Sequence, residues 1–342
     1  MKDAAPVEMP FRPMGESGLK LSALGLGSWI TFGGQVKDER LIREIYASAY
    51  RAGIRLFDTA SSYAKGDAER LMGRALQGYP REHLVLSSKA YFPLSDDPND
   101  RGLSRKHLIE SVHKSLRHLA TDYLDLFFCH RFDPQTPLEE TLRTLEDLVE
   151  QGKILYWGTS EWRGHQIDRA HRLAKRRGWV RPRVEQPELS LLERVKYSWD
   201  TRSVTRRRGM GLVTFSPLAS GRLTGKYDAG IPAGSRLDRV GYCGEFTRQQ
   251  REKSFRFKGL ADELGCSRAQ LAIAWVLAQP GVSSVLTGAS SQAQLEENLG
   301  ALALELSPAM IRRIDRLFAP GIKRILRFNA GRHLRAWRDA LS

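Results

Sequence analysis

The sequence predicts an α/β protein built as a (β/α)8 TIM barrel, a single domain with long loops at the C-terminal face of the barrel. Brief apolar runs rich in β-forming residues alternate eight times with longer stretches of helical period, which is typical of parallel βα units. The 342 residues are 41% hydrophobic and 27% charged, so the chain can bury a large globular core. No proline-rich or Gly/Ser-rich linker divides it.

Eight short segments have the composition and length of buried parallel strands. They are residues 24–27, 55–57, 84–88, 124–129, 155–158, 183–186, 212–215 and 284–286. The stretches between them place apolar residues three and four positions apart, as at Ile42, Ile45 and Ala49. This spacing predicts helices that bury one face.

One helix start is marked by several local signals. Thr136 is predicted to be the N-cap, Pro137 the first helical residue and Glu139 the capping-box carboxylate. Gly152 stands where that helix is expected to stop.

A doubly wound dinucleotide-binding fold is the main architectural alternative. That fold needs a GxGxxG sequence after its first strand, because the glycines let the backbone approach a pyrophosphate. Residues 25–30 read GLGSWI and lack the third glycine. Eight units at steady spacing therefore favour the barrel.

The predicted barrel extends over about residues 20–318, within a single domain of residues 1–342. Residues 319–342 form a basic C-terminal extension that we expect to run over the surface or cap the barrel. Residues 216–247 are rich in Gly and Pro with little periodicity, which predicts an extended loop after the seventh strand. Loops of this length are usually functional or disordered.

The chain has a formal net charge of +15 and a pI near 9.9. Such a field attracts polyanions in general. The basic residues gather at 175–177, 206–208 and 323–338, without aromatic residues at base-stacking intervals or a recognisable reading motif. A solvated basic surface is therefore the favoured interpretation, and binding to anionic ligands, nucleic acid or a membrane surface is the minor alternative.

The first residues contain no apolar run of signal-peptide length, and nowhere do 18 uncharged apolar residues follow one another. These features predict a cytoplasmic protein without membrane insertion. Cys129, Cys243 and Cys266 are widely spaced and form no CxxC pair, so we predict free thiols and no metal site.

Four polar residues lie at or just after the carboxyl ends of three consecutive predicted strands. They are Asp58, Tyr63, Lys89 and His130. Singly, each has an ordinary structural interpretation as a turn, packing, strand-end or core residue. Together they are expected around one rim of the barrel, and the active sites of this fold are built at that face.

These four residue types suit delivery of a proton to a carbonyl oxygen. A tyrosine has an ordinary pKa of about 10 and is a poor acid at neutral pH unless a nearby ammonium stabilises its phenolate. We therefore predict Tyr63 as proton donor, Lys89 as the residue that tunes it and Asp58 as the partner of Lys89. His130 is predicted to orient or polarise the substrate oxygen.

Several longer motifs support a family resemblance that covers about residues 12–318. Residues 53–60 (GIRLFDTA) with Tyr63, 156–160 (YWGTS) and 216–219 (SPLA) resemble the aldo-keto reductase superfamily. Residues 27–35 (GSWITFGGQ) and 102–107 (GLSRKH) resemble its branch of voltage-gated potassium channel β subunits and their bacterial relatives.

The resemblance implies a site for NADPH or NADP⁺ that lies across the top of the barrel. Ser160 and Gln186 would hold the nicotinamide carboxamide, and Phe215 would stack on its ring. The remaining residues that the resemblance implies are Ser28, Trp29, Gln35, Asp58, Ser216, Pro217, Leu218, Ala219, Ser220, Lys226, Arg236, Gly288, Ser290, Gln294, Glu297 and Asn298. Glu161 departs from the asparagine or arginine that many relatives carry after Ser160.

Two features of the residues themselves agree with this implied site. Gly288 and Ser290 precede a predicted helix, and helix N-termini after strands seven and eight are natural phosphate sites, although simple capping also explains a serine there. Lys226 and Arg236 lie in the long loop, where they can contact a 2′-phosphate. Their charge favours NADPH over NADH.

The predicted function is therefore NADPH-dependent reduction of a small aldehyde or ketone. The alternative is a cofactor-sensing regulatory subunit like the channel-associated relatives, with weak catalysis. The resemblance implies that those relatives typically carry asparagine at the position of His130, so His130 favours a working reductase. Neither the physiological substrate nor a homo-oligomeric state is decided by the sequence.

Overall fold

A closed barrel of eight parallel strands forms the centre of the protein, in a computed structural model that describes residues 8–239, 246–321, 325, 326 and 328. The barrel strands neighbour one another in chain order, and the last pairs with the first. The strands are a separate hairpin, β1 (Phe11–Pro13) and β2 (Lys20–Ser22), and the barrel strands β3 (Leu24–Gly27), β4 (Leu56–Asp58), β5 (Val85–Ala90), β6 (Leu124–Cys129), β7 (Ile154–Ser160), β8 (Val184–Gln186), β9 (Gly211–Thr214) and β10 (Val282–Thr287). The predicted (β/α)8 barrel is confirmed.

Helices surround the barrel and cover its outer face with apolar side chains. They are α1 (Glu39–Arg51), α2 (Asp67–Leu76), α3 (Arg105–Leu119), α4 (Leu138–Glu150), α5 (Gly164–Arg177), α6 (Arg202–Arg207), α7 (Arg236–Arg239), α8 (Arg248–Glu263), α9 (Arg268–Leu277), α10 (Gln292–Leu299) and α11 (Pro308–Leu317). The first helix shows why they form: Asp38 accepts a hydrogen bond from Arg40 N at 2.9 Å, and Ile42, Ile45 and Ala49 are buried.

The barrel interior changes from apolar to polar along its strands. Leu56, Leu126 and Phe128 belong to a buried cluster inside the barrel, and Met14 and Leu21 from the β1–β2 hairpin join it. The inward positions that follow toward the carboxyl ends are polar, because successive side chains of a strand alternate between its two faces. The hairpin, which the sequence did not predict, therefore contributes to the apolar interior, and the polar groups collect at the opposite end.

The strand boundaries differ from the predicted ones by up to two residues. The largest effect for the site concerns β5, which continues to Ala90. Lys89 therefore lies inside β5, where we expected it just beyond the end of the strand. Its backbone is consequently paired with Phe128 of the neighbouring β6.

The start of α4 corrects one sequence prediction. The helix begins at Leu138 after Pro137, and no side chain caps it. Thr136 donates from its hydroxyl to Asp133 Oδ2 at 2.7 Å and is therefore not the N-cap. Gly152 does follow the helix, two residues after Glu150, with a φ of +67° that glycine tolerates at no steric cost.

The segment after β9 contains the predicted long loop, interrupted by a short turn at Ala219–Gly221 and by α7. Ser216, Ala219 and Ser220 have positive φ values of 56°, 48° and 59°. Such conformations cost energy in residues with a side chain and concentrate at ligand sites. Residues 240–245 of this segment lie outside the described residues.

Several other predictions concern the termini and the cysteines. Cys129 and Cys266 are free thiols, whereas Cys243 lies outside the described residues. Most of the extension 319–342 also lies outside them. Within the described ranges, no helix combines the length and apolarity that crossing a bilayer requires.

Candidate active site

A buried ion pair between two barrel strands forms the base of the site. Lys89 Nζ lies 2.6 Å from Asp58 Oδ2 and also donates to Thr59 O at 2.6 Å. The Lys89 side chain is 0% exposed and that of Asp58 is 4% exposed. Burial lowers the pKa of the Lys89 ammonium, while the Asp58 carboxylate opposes that change.

The Asp58 carboxylate is fixed by further donors. Ser87 donates from its hydroxyl to Oδ1 at 2.6 Å, and the Gln186 amide donates to the same oxygen at 3.1 Å. Ser87 lies opposite Asp58 in the β4–β5 register, and Gln186 ends β8 on the other side of the barrel. The carboxylate therefore has a single orientation, with one oxygen on the ammonium and the other held by neutral groups.

Tyr63 reaches the same region from the turn after β4. The turn is unusual, because Ala64 and Lys65 both adopt left-handed backbone conformations. The Tyr63 ring centroid lies 5.0 Å from Lys89 Nζ, and Tyr63 Oη lies 3.5 Å from His130 Nε2. The phenol is thus placed between a buried ammonium and an imidazole.

His130 follows β6 and is 7% exposed. Burial lowers the pKa of its imidazole well below the ordinary value of 6.5, and the charges of Lys89 and Arg131 lower it further. The ring packs edge-on against Phe92 at 4.8 Å between centroids and against Tyr63 at 5.7 Å. His130 is therefore a neutral imidazole at physiological pH.

A cavity of about 950 Å³ opens above these residues and extends across the carboxyl face of the barrel. Most residues predicted for the site lie in its wall. These are Trp29, Gln35, Asp58, Tyr63, His130, Ser160, Gln186, Phe215, Ser216, Pro217, Leu218, Ser220, Lys226, Arg236, Gly288, Ser290, Gln294, Glu297 and Asn298. The wall does not include Lys89, Ser28 or Ala219, which are 1%, 0% and 2% exposed and lie behind it.

Two aromatic rings shape the cavity near Tyr63. Trp29 packs edge-on against Phe215, with ring centroids 6.3 Å apart, and lies 6.5 Å from the Tyr63 ring. Beside them, Ser160 donates from its hydroxyl to Gln186 O at 3.0 Å. The two residues predicted for a carboxamide are thus adjacent in the wall of the same cavity.

The far end of the cavity is built at the start of α10. Gln294 accepts hydrogen bonds from the Ser290 backbone and hydroxyl at 2.9 and 3.0 Å. Asn298 donates to Gly288 O at 3.2 Å. Ser291, and not Ser290, caps the helix through Gln294 N. The backbone of this end is therefore held by side chains of the helix itself.

Two cationic side chains from the loop after β9 complete the wall. Arg236 donates to Trp29 O at 3.2 Å, and its guanidinium carbon lies 5.9 Å from the Trp29 ring. The exposed Lys226 side chain lies across Gly221, where an added Cβ would stand 2.4 Å from Lys226 Cε. Gly221 has a φ of +86°, which favours glycine here, whereas the flexible Lys226 side chain can move away from an added Cβ.

Some residues of the wall were not predicted from the sequence. They include Thr31, Phe92, Arg131, Thr224 and Ser235. Phe92 follows β5, which carries Lys89, and Arg131 directly follows His130. Their nearness in sequence to Lys89 and His130 was the available signal.

Glu161, which departs from the family pattern, has a structural role. It adopts a φ of +60°, and its carboxylate accepts from Glu188 N at 2.7 Å and pairs with Lys196 Nζ at 2.8 Å. It is not in the cavity wall. Glu161 therefore binds neighbouring loop residues outside the cavity wall.

Comparison with known proteins agrees with this architecture. The family model described as Aldo/keto reductase family matches residues 23–319. A protein of Arabidopsis thaliana is 41% identical over 325 residues, covering 92% of this chain and 98% of the relative. One of Oryza sativa subsp. japonica is 42% identical over 316 residues, covering 90% and 96%.

Both relatives bear the name probable voltage-gated potassium channel subunit beta. The family match covers all eight barrel strands together with Asp58, Tyr63, Lys89 and His130. The chain therefore belongs to the aldo/keto reductase family.

Proposed function

We propose that this protein is an NADPH-dependent reductase that converts an aldehyde or ketone to the corresponding alcohol. The observation that carries the proposal is the placement of the Tyr63 hydroxyl. It lies 3.5 Å from the imidazole of His130, and its ring lies 5.0 Å from an ammonium that Asp58 holds in a buried site. This arrangement can give a proton to a carbonyl oxygen at one end of a large cavity.

Tyr63 is the proton donor in this proposal. A phenol donates readily only if the phenolate that remains is stabilised, and the buried Lys89 ammonium provides that stabilisation at low local dielectric. Asp58 keeps the ammonium charged and in place, because it opposes the effect of burial on the Lys89 pKa. Asp58 lines the cavity wall, whereas Lys89 lies behind it. The ammonium therefore acts on Tyr63 from behind the wall.

His130 orients the substrate in this proposal. Its imidazole is neutral, so one ring nitrogen carries a proton and the other is a free acceptor. Tyr63 Oη and His130 Nε2 are close enough for one carbonyl oxygen to contact both. Two donors at that point would polarise the carbonyl and hold it beside the phenol.

The cavity fits an extended dinucleotide. A Cβ added at Gly27, which lines it, would meet no atom nearer than Thr287 O at 3.8 Å, so a side chain there would take up cavity space. Lys226 and Arg236 in the wall suit phosphate groups. Ser160, Gln186 and Phe215 would hold the nicotinamide, with Trp29 and Gln35 at the same end, and the other predicted residues of the wall would hold the rest. When bound, NADPH supplies a hydride to the carbonyl carbon.

The first experiment uses the purified wild-type protein with NADPH and reactive aldehydes such as 4-nitrobenzaldehyde and methylglyoxal. We expect loss of NADPH absorbance that depends on both protein and aldehyde, with the alcohol as product. Tight binding of NADPH without any turnover on the panel would contradict the proposal.

Lys226→Met tests the preference for the phosphorylated cofactor. We expect the Kd for NADPH to rise about fivefold to tenfold, because a charge-assisted contact at an exposed site is lost. The Kd for NADH should stay nearly constant. Fluorescence titration measures both. Lys175→Met, which removes the same charge from an exposed site outside the cavity wall, is the control. Equal effects on the two cofactors would remove the proposed role of Lys226.

A second candidate function is a cofactor-sensing subunit that assembles with another protein. The names of the two plant relatives favour it. Such a protein would bind NADPH as the reductase does, but its turnover would be weak on every carbonyl compound. The comparison of NADPH affinity with turnover in the wild-type protein separates the two functions.

His130→Asn tests whether the imidazole matters for turnover. We expect kcat for 4-nitrobenzaldehyde to fall about tenfold to a hundredfold, since one of two contacts to the carbonyl oxygen is altered. The Kd for NADPH should not change. Steady-state kinetics and fluorescence titration measure these quantities, and an unchanged kcat would show that Tyr63 works without His130.

A further inference from the structure

Arg131 lies in the cavity wall directly after His130. Its guanidinium carbon stands 5.3 Å from the centroid of the Phe92 ring, which packs on His130. Its positive charge also lowers the pKa of both Lys89 and His130. The guanidinium is therefore close to the groups that would act on the carbonyl.

Most of the hydrogen-bonding capacity of Arg131 is unused by the described part of the chain. Nη1 donates to His130 O at 2.5 Å, and no carboxylate of the described residues forms an ion pair with the guanidinium. Asp133, two positions further along, is already bound by Leu103 N at 2.8 Å and by other groups. Burial raises the pKa of Glu188, whose carboxyl is influenced by Arg131, to about 7. Neither acid forms an ion pair with the guanidinium of Arg131.

At this end of the cavity, Arg131 carries a positive charge that no carboxylate of the described residues pairs with. Lys89 and Asp58 form a pair, and His130 is neutral. Arg131 is half-buried, so solvent screens its charge only in part. A cationic donor beside a cavity raises the local concentration of anions and offers a planar fork of N–H groups.

We propose that Arg131 forms an anion subsite, and that the substrates of this protein are aldehydes or ketones that carry a carboxylate. The proposal rests on the reductase function proposed above and specifies its substrate class. The guanidinium can hold a carboxylate through two parallel hydrogen bonds, while Phe92 packs against the apolar body of the substrate. The carbonyl oxygen would then lie at Tyr63 and His130.

Two substrates of nearly equal shape test the subsite with NADPH. 4-Formylbenzoate has a carboxylate where 4-nitrobenzaldehyde has a neutral, planar nitro group. We expect Arg131→Met to lower kcat/KM for 4-formylbenzoate about tenfold, mainly through a higher KM, because a charge-assisted contact is lost. The values for 4-nitrobenzaldehyde should change little. Arg131→Lys keeps the charge without the fork and should retain part of the preference.

Two controls accompany this comparison. Arg256→Met removes the same charge from an exposed position on α8, outside the cavity wall, and should leave the preference unchanged. Calorimetric titration of the NADP⁺-loaded protein with the two product alcohols measures the subsite without turnover. We expect the carboxylate product to bind about tenfold more tightly than the nitro product, and only in proteins that retain Arg131.

The outcomes distinguish this inference from the proposed function. The subsite proposal is overturned if Arg131→Met prefers the carboxylate substrate as strongly as the wild type and Arg256→Met do. An equal loss of kcat for both aldehydes in Arg131→Met also overturns it. Arg131 would then serve turnover by positioning His130 and not by binding a carboxylate. Absence of turnover with both aldehydes contradicts the reductase function, and the calorimetric comparison then decides the subsite alone.

Discussion

Tyr63→Phe is expected to lower kcat for aldehyde reduction by about 10²-fold to 10⁴-fold, which is the usual contribution of a positioned proton donor. The substitution removes only the hydroxyl that lies 3.5 Å from His130 Nε2. The ring remains, so its packing 6.5 Å from Trp29 and the shape of the cavity should persist. The Kd for NADPH should therefore stay close to that of the wild type.

Steady-state kinetics with 4-nitrobenzaldehyde and fluorescence titration with NADPH measure these two quantities. Tyr79→Phe is the matched control, because it removes a tyrosine hydroxyl outside the cavity wall. A wild-type kcat in Tyr63→Phe would mean that another group donates the proton. A large rise in the Kd for NADPH would mean that the hydroxyl serves cofactor binding instead.

Asp58→Asn is expected to damage both turnover and stability. It leaves a fully buried Lys89 without its carboxylate, and breaking a buried pair in this way typically costs about 3–5 kcal/mol of unfolding free energy. We expect kcat to fall about 10²-fold, since the ammonium is no longer held beside Tyr63.

The pH dependence of this variant has a definite sign. In the wild type, burial lowers the pKa of Lys89 and Asp58 raises it. Without the carboxylate, the Lys89 pKa falls further and the ammonium is lost at a lower pH. The alkaline limb of the kcat profile of Asp58→Asn should therefore move to lower pH, which measurement of kcat across the pH range checks.

Asp125→Asn is the control for the loss of stability. Asp125 is also buried, and it pairs with Arg81 at 2.7 Å near the other end of the barrel. Urea denaturation should show destabilisation in both variants, whereas kcat should fall only in Asp58→Asn. If both variants lost turnover equally, the effect of Asp58→Asn would reflect general destabilisation.

The fold and the residues of the proposed catalytic group could be predicted because the barrel repeats one pattern. Side chains alternate along each strand, so Leu126, Phe128 and then His130 share the inward face that β6 sets up. The same two-residue period places Leu56 and Asp58 of β4 on the inward face of the barrel. Polar residues at inward positions near the carboxyl ends of the strands therefore lie close together at one end of the barrel.

Arg131 and Phe92 were not predicted, because they lie two residues beyond the ends of their strands. The alternation no longer fixes the direction of a side chain there, and only the three-dimensional path of the loop places it. Ser28 and Ala219 show the opposite case. They lie within motifs that match the family, yet both are buried behind the cavity wall. Whether their backbone groups contact the cofactor stays a prediction.

Local signals also failed where a competing partner existed. Thr136 has the composition and position of an N-cap, but its hydroxyl bonds to Asp133, whose carboxylate also binds Leu103 N. The β1–β2 hairpin was missed because each strand has only three residues, which is too short for an alternation of apolar and polar residues to indicate a strand. In both cases a tertiary contact is decisive, because Leu103 N binds the Asp133 carboxylate and the barrel interior buries Met14 and Leu21.

The most direct test of the central claim follows an atom from the cofactor to the product. The wild-type protein is incubated with 4-nitrobenzaldehyde and NADPH that carries deuterium at both C4 positions, and the alcohol is analysed by mass spectrometry. The reductase function predicts one deuterium on the carbinol carbon of every alcohol formed. Alcohol without deuterium, or no alcohol despite saturating NADPH, would contradict it.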